Sequence, residues 1–161
     1  MKIVRLDLQN SLHVQALRGL LMEYALTPEG GGEPLSTEAL ERLPGQLASR
    51  PHYAGWLACA PGEAGFIGLL NAFEGLSTFR ARPLLNLHDI VVTAAWRGRG
   101  AGRALIGAAQ AYAKSRDCCK LTLEVLEGNT RAIGLYRSAG FDPYELDPAM
   151  GRAMFFEKWL D

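Results

Sequence analysis

The chain has 161 residues, enough for one domain that buries roughly two thirds of its unfolded surface around a single core. Its 17 basic and 17 acidic side chains cancel, which excludes a global electrostatic pull toward nucleic acid or an anionic membrane surface. Charges interrupt the N-terminal run Met1-Lys2-Ile3-Val4-Arg5-Leu6-Asp7, and no stretch approaches ~18 consecutive apolar residues. A soluble cytoplasmic protein is therefore expected, with no membrane partner. Three cysteines, Cys59 and the adjacent Cys118 and Cys119, suit a reducing compartment, and no Cys/His set has zinc-site spacing.

Residues 2–8 alternate, with Val4, Leu6 and Leu8 on one face, and predict a first strand. Asn10 or Ser11 then caps a helix carrying Leu12, Leu17, Leu20, Leu21 and Tyr24 at helical spacing, which stops at Thr27-Pro28. Glu29-Gly30-Gly31-Gly32-Glu33-Pro34 predicts a flexible loop, and Ser36 or Thr37 opens a second helix through about Ser49. Strands are expected at about 53–60, 64–73 and 85–92, the first two joined by the turn Pro61-Gly62-Glu63. A glycine turn at 98–102 leads into a helix from Ala104 to about Ser115, with Leu105, Ala108, Ala109 and Tyr112 on one face, and then a strand at 119–125. Asn129 starts a helix through Ala139, Gly140 stops it, and strands near 141–146 and 152–159 close the chain. The order βααβββαβαββ predicts an α/β (α+β) fold. Its mixed, mostly antiparallel seven-stranded sheet has about four helices on both faces, all in one domain spanning 1–161.

Trp96-Arg97-Gly98-Arg99-Gly100-Ala101-Gly102-Arg103 is the most informative stretch. It follows the apolar run Ile90-Val91-Val92 and precedes a helix. Glycines at alternate positions let the backbone approach a ligand, and the first turn of a helix presents unpaired N–H groups and a partial positive charge. Three arginines there oppose the helix dipole, which makes sense if an anion is bound. The pattern reads as a pyrophosphate cradle. A dinucleotide-binding turn would need Gly or Ala at 103, where Arg103 stands, although Glu124 lies roughly ~20 residues beyond, where a ribose-binding acid sits. A P-loop would need a Lys-Ser/Thr pair that is missing.

These residues resemble the GNAT superfamily of N-acetyltransferases. Arg97-Gly98-Arg99-Gly100-Ala101-Gly102 fits its Gln/Arg-x-x-Gly-x-Gly/Ala signature, and Asn129-Thr130-Arg131-Ala132-Ile133-Gly134-Leu135-Tyr136, ending in Gly140-Phe141, fits its second. The resemblance implies that acetyl-CoA lies where the fourth and fifth strands splay apart. Ile90, Val91 and Val92 would pair with its pantetheine arm, and the amides from Gly98 to Arg103 would hold its diphosphate. Arg99 and Arg103 would reach the phosphates, and Asn129 would contact the arm from the other side. It also implies a homodimer, direct transfer without an acyl-enzyme, and no metal.

Amine acetylation needs a neutral amine, a donor for the developing oxyanion and a proton for the departing thiolate. By the resemblance, Tyr136 gives that proton; a phenol of ordinary pKa ~10 remains protonated at neutral pH. The base is open between three residues. On an unbroken strand Asn86, His88, Ile90 and Val92 share a face, which makes His88 the first candidate, whereas a bulge would bring Asp89 forward. Glu124, in a strand expected to be buried, would bind the acceptor ammonium or relay its proton. The fourth strand's backbone N–H is the expected oxyanion donor.

Acceptor identity falls to the loops Thr27–Pro34, Glu74–Pro83 and Pro143–Arg152. Glu29, Glu33, Glu145 and Asp147 suit a cationic amine, and Arg80 and Arg82 suit a carboxylate. The expected acceptor is a primary amine on a small molecule, amino acid, polyamine or peptide. A non-catalytic acetyl-CoA sensor is the alternative, and acyl groups other than acetyl stay open. The apolar run Met154-Phe155-Phe156-Glu157-Lys158-Trp159-Leu160 either forms a contact between copies or completes the sheet.

Overall fold

Asn10 starts the first helix. In a computed structural model, which describes residues 1–62 and 65–160, its Oδ1 accepts from the amides of Leu12 and His13 at 3.0 and 3.4 Å. That satisfies two of the donors a helix N-terminus leaves unpaired. Strand β1 (Ile3–Arg5) precedes helix α1 (Ser11–Ala25), in which Leu17, Leu20 and Leu21 are buried. Leu12 is 65% exposed, contrary to the expected stripe. Five residues before Leu17 is roughly 140° around the helix, so it points away from the sheet. Ser36 caps α2 (Thr37–Ala48) by accepting from the Ala39 amide at 3.1 Å.

Strands β2 (Tyr53–Cys59), β3 (Phe66–Ser77) and β4 (Arg82–Val92) form the expected antiparallel meander; Glu63 of the predicted turn lies outside the described residues. Helix α3 (Ala101–Ser115) begins three residues before its predicted start, so Ala101-Gly102-Arg103 is its first turn rather than loop. Strand β5 (Leu121–Leu123) is shorter than predicted and joins β4 in parallel, and α4 (Thr130–Ser138) follows. The sheet order is β1-β2-β3-β4-β5.

Both faces of the sheet are covered. On one, Trp56, Leu70, Leu85 and Leu87 pack against Leu105, Ile106 and Ala109 of α3, with Leu135 and Tyr136 of α4 at the margin. On the other, Leu57, Leu69 and Val91 meet Leu17, Leu20 and Leu21 of α1 and Leu47 of α2. Among the described residues no helix is long and apolar enough to cross a membrane.

Among the described residues the expected seven strands are five. Residues 141–147 and 151–160 pair with nothing as strands, and Pro148–Met150 is a short 3₁₀ turn. Pro143 and Pro148 lack the N–H a ladder requires and interrupt the first of the two predicted strands and the link to the second. Met154, Phe155, Phe156, Trp159 and Leu160 stay exposed.

Candidate active site

The site begins where β4 and β5 part. Their ladder runs Leu85↔Leu121, Asn86↔Thr122, Leu87↔Leu123 and then stops, because β5 ends. From His88 to Val92, β4 has no strand on that side among the described residues. Asn86 helps hold the last paired stretch, donating from Nδ2 to Thr122 Oγ1 at 3.1 Å.

Beyond the split β4 changes register against β3. Asn71 faces Asp89 but Ala72 faces Leu87, so His88 is an extra, bulged residue. Of the two strand geometries the sequence left open, the bulged one is present. Leu85, Leu87, Ile90 and Val92 all lie toward the α3 layer, and Val91 packs on the α1 layer. His88 lines the cavity and sets its ring edge-on to Phe73, centroids 5.4 Å apart. Asp89 follows on the same, α1-facing side but does not line the cavity; its Oδ2 accepts from Asn71 Nδ2 at 2.9 Å.

The cavity, about 720 Å³, runs from this split to the N-terminus of α3. Gly98 and Gly100 adopt φ of +73° and +86°, the left-handed region that disfavours a side chain. Gly100 is the N-cap of α3 and has no side chain to satisfy the first amides. Helices α1, α2 and α4 are all capped by an Asn or Ser side chain. Gly102 lets α4 come close: a Cβ there would stand 2.8 Å from Leu135 Cδ2. Of the cofactor residues expected from sequence, Ile90, Val91, Val92, Arg97, Gly98, Gly100, Ala101, Gly102, Arg103 and Asn129 all line this cavity.

Arg99 does not. Its guanidinium stacks 5.1 Å from the centre of the Trp96 ring. Arg103 lines the cavity but is engaged, donating to the Ser138 carbonyl at 3.0 Å and its Oγ at 2.7 Å, which ties α3 to α4. Arg97 Nε donates to the Val92 carbonyl at 3.0 Å and so occupies one acceptor expected to face the pantetheine arm. Asn129 Oδ1 caps α4 through the Ala132 amide at 3.1 Å, leaving its NH₂ as the group that points elsewhere.

Tyr136 lines the cavity from α4, packed edge-on against Phe141 with centroids 6.0 Å apart. Burial pushes its phenol up to about 12, with a smaller push from Tyr24. It is therefore protonated throughout the neutral range. Glu124 lines the cavity too, yet it lies just beyond β5 and is exposed, contrary to the buried position expected from sequence. Water solvates it, so it needs no ionic partner, and among the described residues it has none within salt-bridge distance.

Several wall residues carry no motif in the sequence. Tyr24 donates to the Glu29 carbonyl at 3.2 Å, and burial with the nearby charges of Asp89 and Glu29 raises its phenol above the usual range. Glu29 sits 3.6 Å from Arg131, joining the loop after α1 to the first turn of α4. Its carboxyl is held below the usual range, first by its own backbone N–H and then by Thr27 and the charges of Arg131 and Arg97. Phe155 brings the C-terminal segment to the cavity wall. Asn71 left one faint mark, a polar residue inside the apolar run Phe66–Phe73.

Comparison with known proteins agrees with this arrangement. The family model described as acetyltransferase (GNAT) family matches residues 15–141. The aminoglycoside N(6')-acetyltransferase type 1 of Stenotrophomonas maltophilia is 31% identical over 114 residues, 70% of this chain and 74% of that protein. The streptothricin acetyltransferase of Streptomyces lavendulae is 37% identical over 83 residues, 52% of this chain and 44% of that one, so the match spans less than half of that relative. A solved structure, the aminoglycoside N-acetyltransferase AAC(6')-Iy in complex with CoA, superposes with a TM-score of 0.73 at 23% identity, covering 98% of this chain and 93% of the other.

Proposed function

Because the chain belongs to the acetyltransferase (GNAT) family, we propose that it is an acetyl-CoA-dependent N-acetyltransferase, one domain over residues 1–161, that acts on a primary amine. The observation that carries this reading is a cavity joining an uncapped helix N-terminus, an unpaired stretch of β4 and a half-buried, protonated tyrosine. Those residues fit the group: backbone amides at α3 suit a diphosphate, and the open β4 edge suits the amide-bearing pantetheine arm.

Bound acetyl-CoA supplies an activated acetyl thioester. The amides from Gly98 to Arg103 hold its diphosphate, and Ile90, Val91, Val92 and Asn129 flank the arm. Arg97 and Arg103 brace this wall rather than reaching out, and Arg99 stays on Trp96. His88 takes the proton from the incoming ammonium, leaving a lone pair to form the new N–C bond. As the C–S bond breaks, Tyr136 gives its proton to sulfur, and the second proton that the acylated nitrogen must lose passes through solvent to restore the phenol. A β4 backbone N–H steadies the charge that develops on the acetyl oxygen. Glu124 and Glu29, both on the cavity wall, suit an acceptor that is cationic away from the reacting nitrogen. We also propose a cytoplasmic homodimer, which sedimentation equilibrium and fractionation check.

Acetyl-CoA-dependent thiol release against amino acids, polyamines, aminoglycosides and peptide amines tests the reading. The expected hit is a polycationic amine, acetylated on nitrogen by mass spectrometry. Acetyl-CoA binding with no release across the panel would favour a sensor, and activity confined to a hydroxyl acceptor would contradict the amine assignment.

A further inference from the structure

Asn71 is 2% exposed in the middle of β3, between buried Leu70 and Ala72. A buried amide is costly unless its donors and acceptor are matched. Both ends are. Tyr53 Oη donates to Asn71 Oδ1 at 2.8 Å, and Asn71 Nδ2 donates to Asp89 Oδ2 at 2.9 Å. The three residues form a chain across β2, β3 and β4 beneath α1.

This chain lies at the register slip. Asn71 and Asp89 are ladder partners, and the next pair, Ala72↔Leu87, skips His88. Suppose the bulge relaxed into regular pairing with Ala72↔Leu87 fixed. Each residue beyond would move by one and change face. Asp89 would then stand opposite Leu70, its carboxylate turned into the apolar layer under Leu105 and Ile106, while Ile90 and Val92 would leave that layer. His88 would take the place opposite Asn71 that Asp89 holds now, and would lose the outward, bulged position from which it lines the cavity. The Asn71–Asp89 bond exists only in the bulged register.

We propose that Asn71 is the positioning residue of this site, acting with Tyr53 and Asp89 to lock the bulge that sends the His88 imidazole into the cavity. The proposal rests on the reading of His88 as the base. Asn71 touches no reacting atom; it sets which side chain of β4 does.

The test is a variant series read by steady-state kinetics, thermal melting and the His88 imidazole resonances, which carry the ring current of Phe73 at 5.4 Å. Asn71→Ala is expected to lower kcat about tenfold or more, since small misplacements of a reacting group are costly, and to move the His88 resonances. Asp89→Asn keeps an acceptor oxygen for the same bond and is expected to hold kcat within about threefold, whereas Asp89→Ala follows Asn71→Ala. Tyr53→Phe removes a single hydrogen bond and gives a smaller shift of the same kind, which decides the matter if Asn71→Ala does not fold. Unchanged kcat and unchanged His88 resonances in the folded Asn71 or Tyr53 variant would overturn the proposal. So would an Asp89→Asn variant as impaired as Asp89→Ala, because the carboxylate itself would then be reacting. His88→Gln belongs in the series: full turnover there removes the base assignment, while the resonances of the other variants still report whether Asn71 holds the register.

Discussion

At the scale of single residues, Tyr136 is where burial and chemistry meet. Its phenol, pushed up to about 12, has a sign that can be followed through pH. Below about 10 the folded and unfolded chains both keep the proton and nothing changes. Between about 10 and 12 the unfolded chain ionises and the folded one does not, so stability falls as pH rises through the folded value, by about 1.4 kcal/mol per unit. Alkaline melting of Tyr136→Phe should therefore be less steep over that window than that of the parent. Tyr53, also raised by burial, keeps some slope in both. Identical slopes would mean the phenol is not buried as described. Tyr136, the glycines and Asn129 were legible because a signature names them. His88 was legible as a residue but not as a geometry: the slip that aims it depends on Asn71 and Asp89, which are far apart in sequence and belong to no motif. Glu124 was misread as buried because an alternating polar residue in an apolar run looks the same whether the strand continues past it or ends before it.

Among the elements, α3 shows why a helix is left uncapped. Asn10, Ser36 and Asn129 cap their helices from the side chain, and Gly100 caps nothing. Apart from its chain neighbours, no atom of the described residues lies within 4 Å of a Cβ built on Gly100, so the cost of one there is conformational rather than a clash. At φ +86° an alanine costs about 1–2 kcal/mol, or about 2–8 °C in melting temperature for a chain of this length. Gly100→Ala is expected to show that loss together with weaker acetyl-CoA binding by calorimetry. Full affinity with the stability loss would separate the glycine's conformational role from the cradle. The helices and the three-strand meander were readable from caps and periodicity, because those signals are local. The start of α3 was missed by three residues, since Ala101-Gly102-Arg103 contains a glycine that normally argues against helix and here leaves room for the Leu135 side chain.

Over the whole molecule, the order of elements up to α4 follows the prediction, and the departure lies in the last twenty residues. The short apolar run Ala153-Met154-Phe155-Phe156, with Trp159 and Leu160 after it, reads locally as a strand, but a strand also needs a partner, and that is a property of the assembled sheet. The exposed Met154, Phe156, Trp159 and Leu160 are the kind of patch that marks a contact surface, and this supports the proposed homodimer. The site itself is assembled from α1, the turn after it, β4, α3, the loop after β5, α4 and this C-terminal segment, so no single stretch of sequence contains it. The chemistry proposed for it is transfer of an acetyl group to nitrogen with Tyr136 as the acid. The most direct measurement is acetyl-CoA-dependent thiol release by Tyr136→Phe beside the parent, with acetyl-CoA affinity measured on both. Turnover about 10² to 10⁴-fold lower with affinity nearly unchanged is the expected result; equal turnover in the two proteins would contradict it.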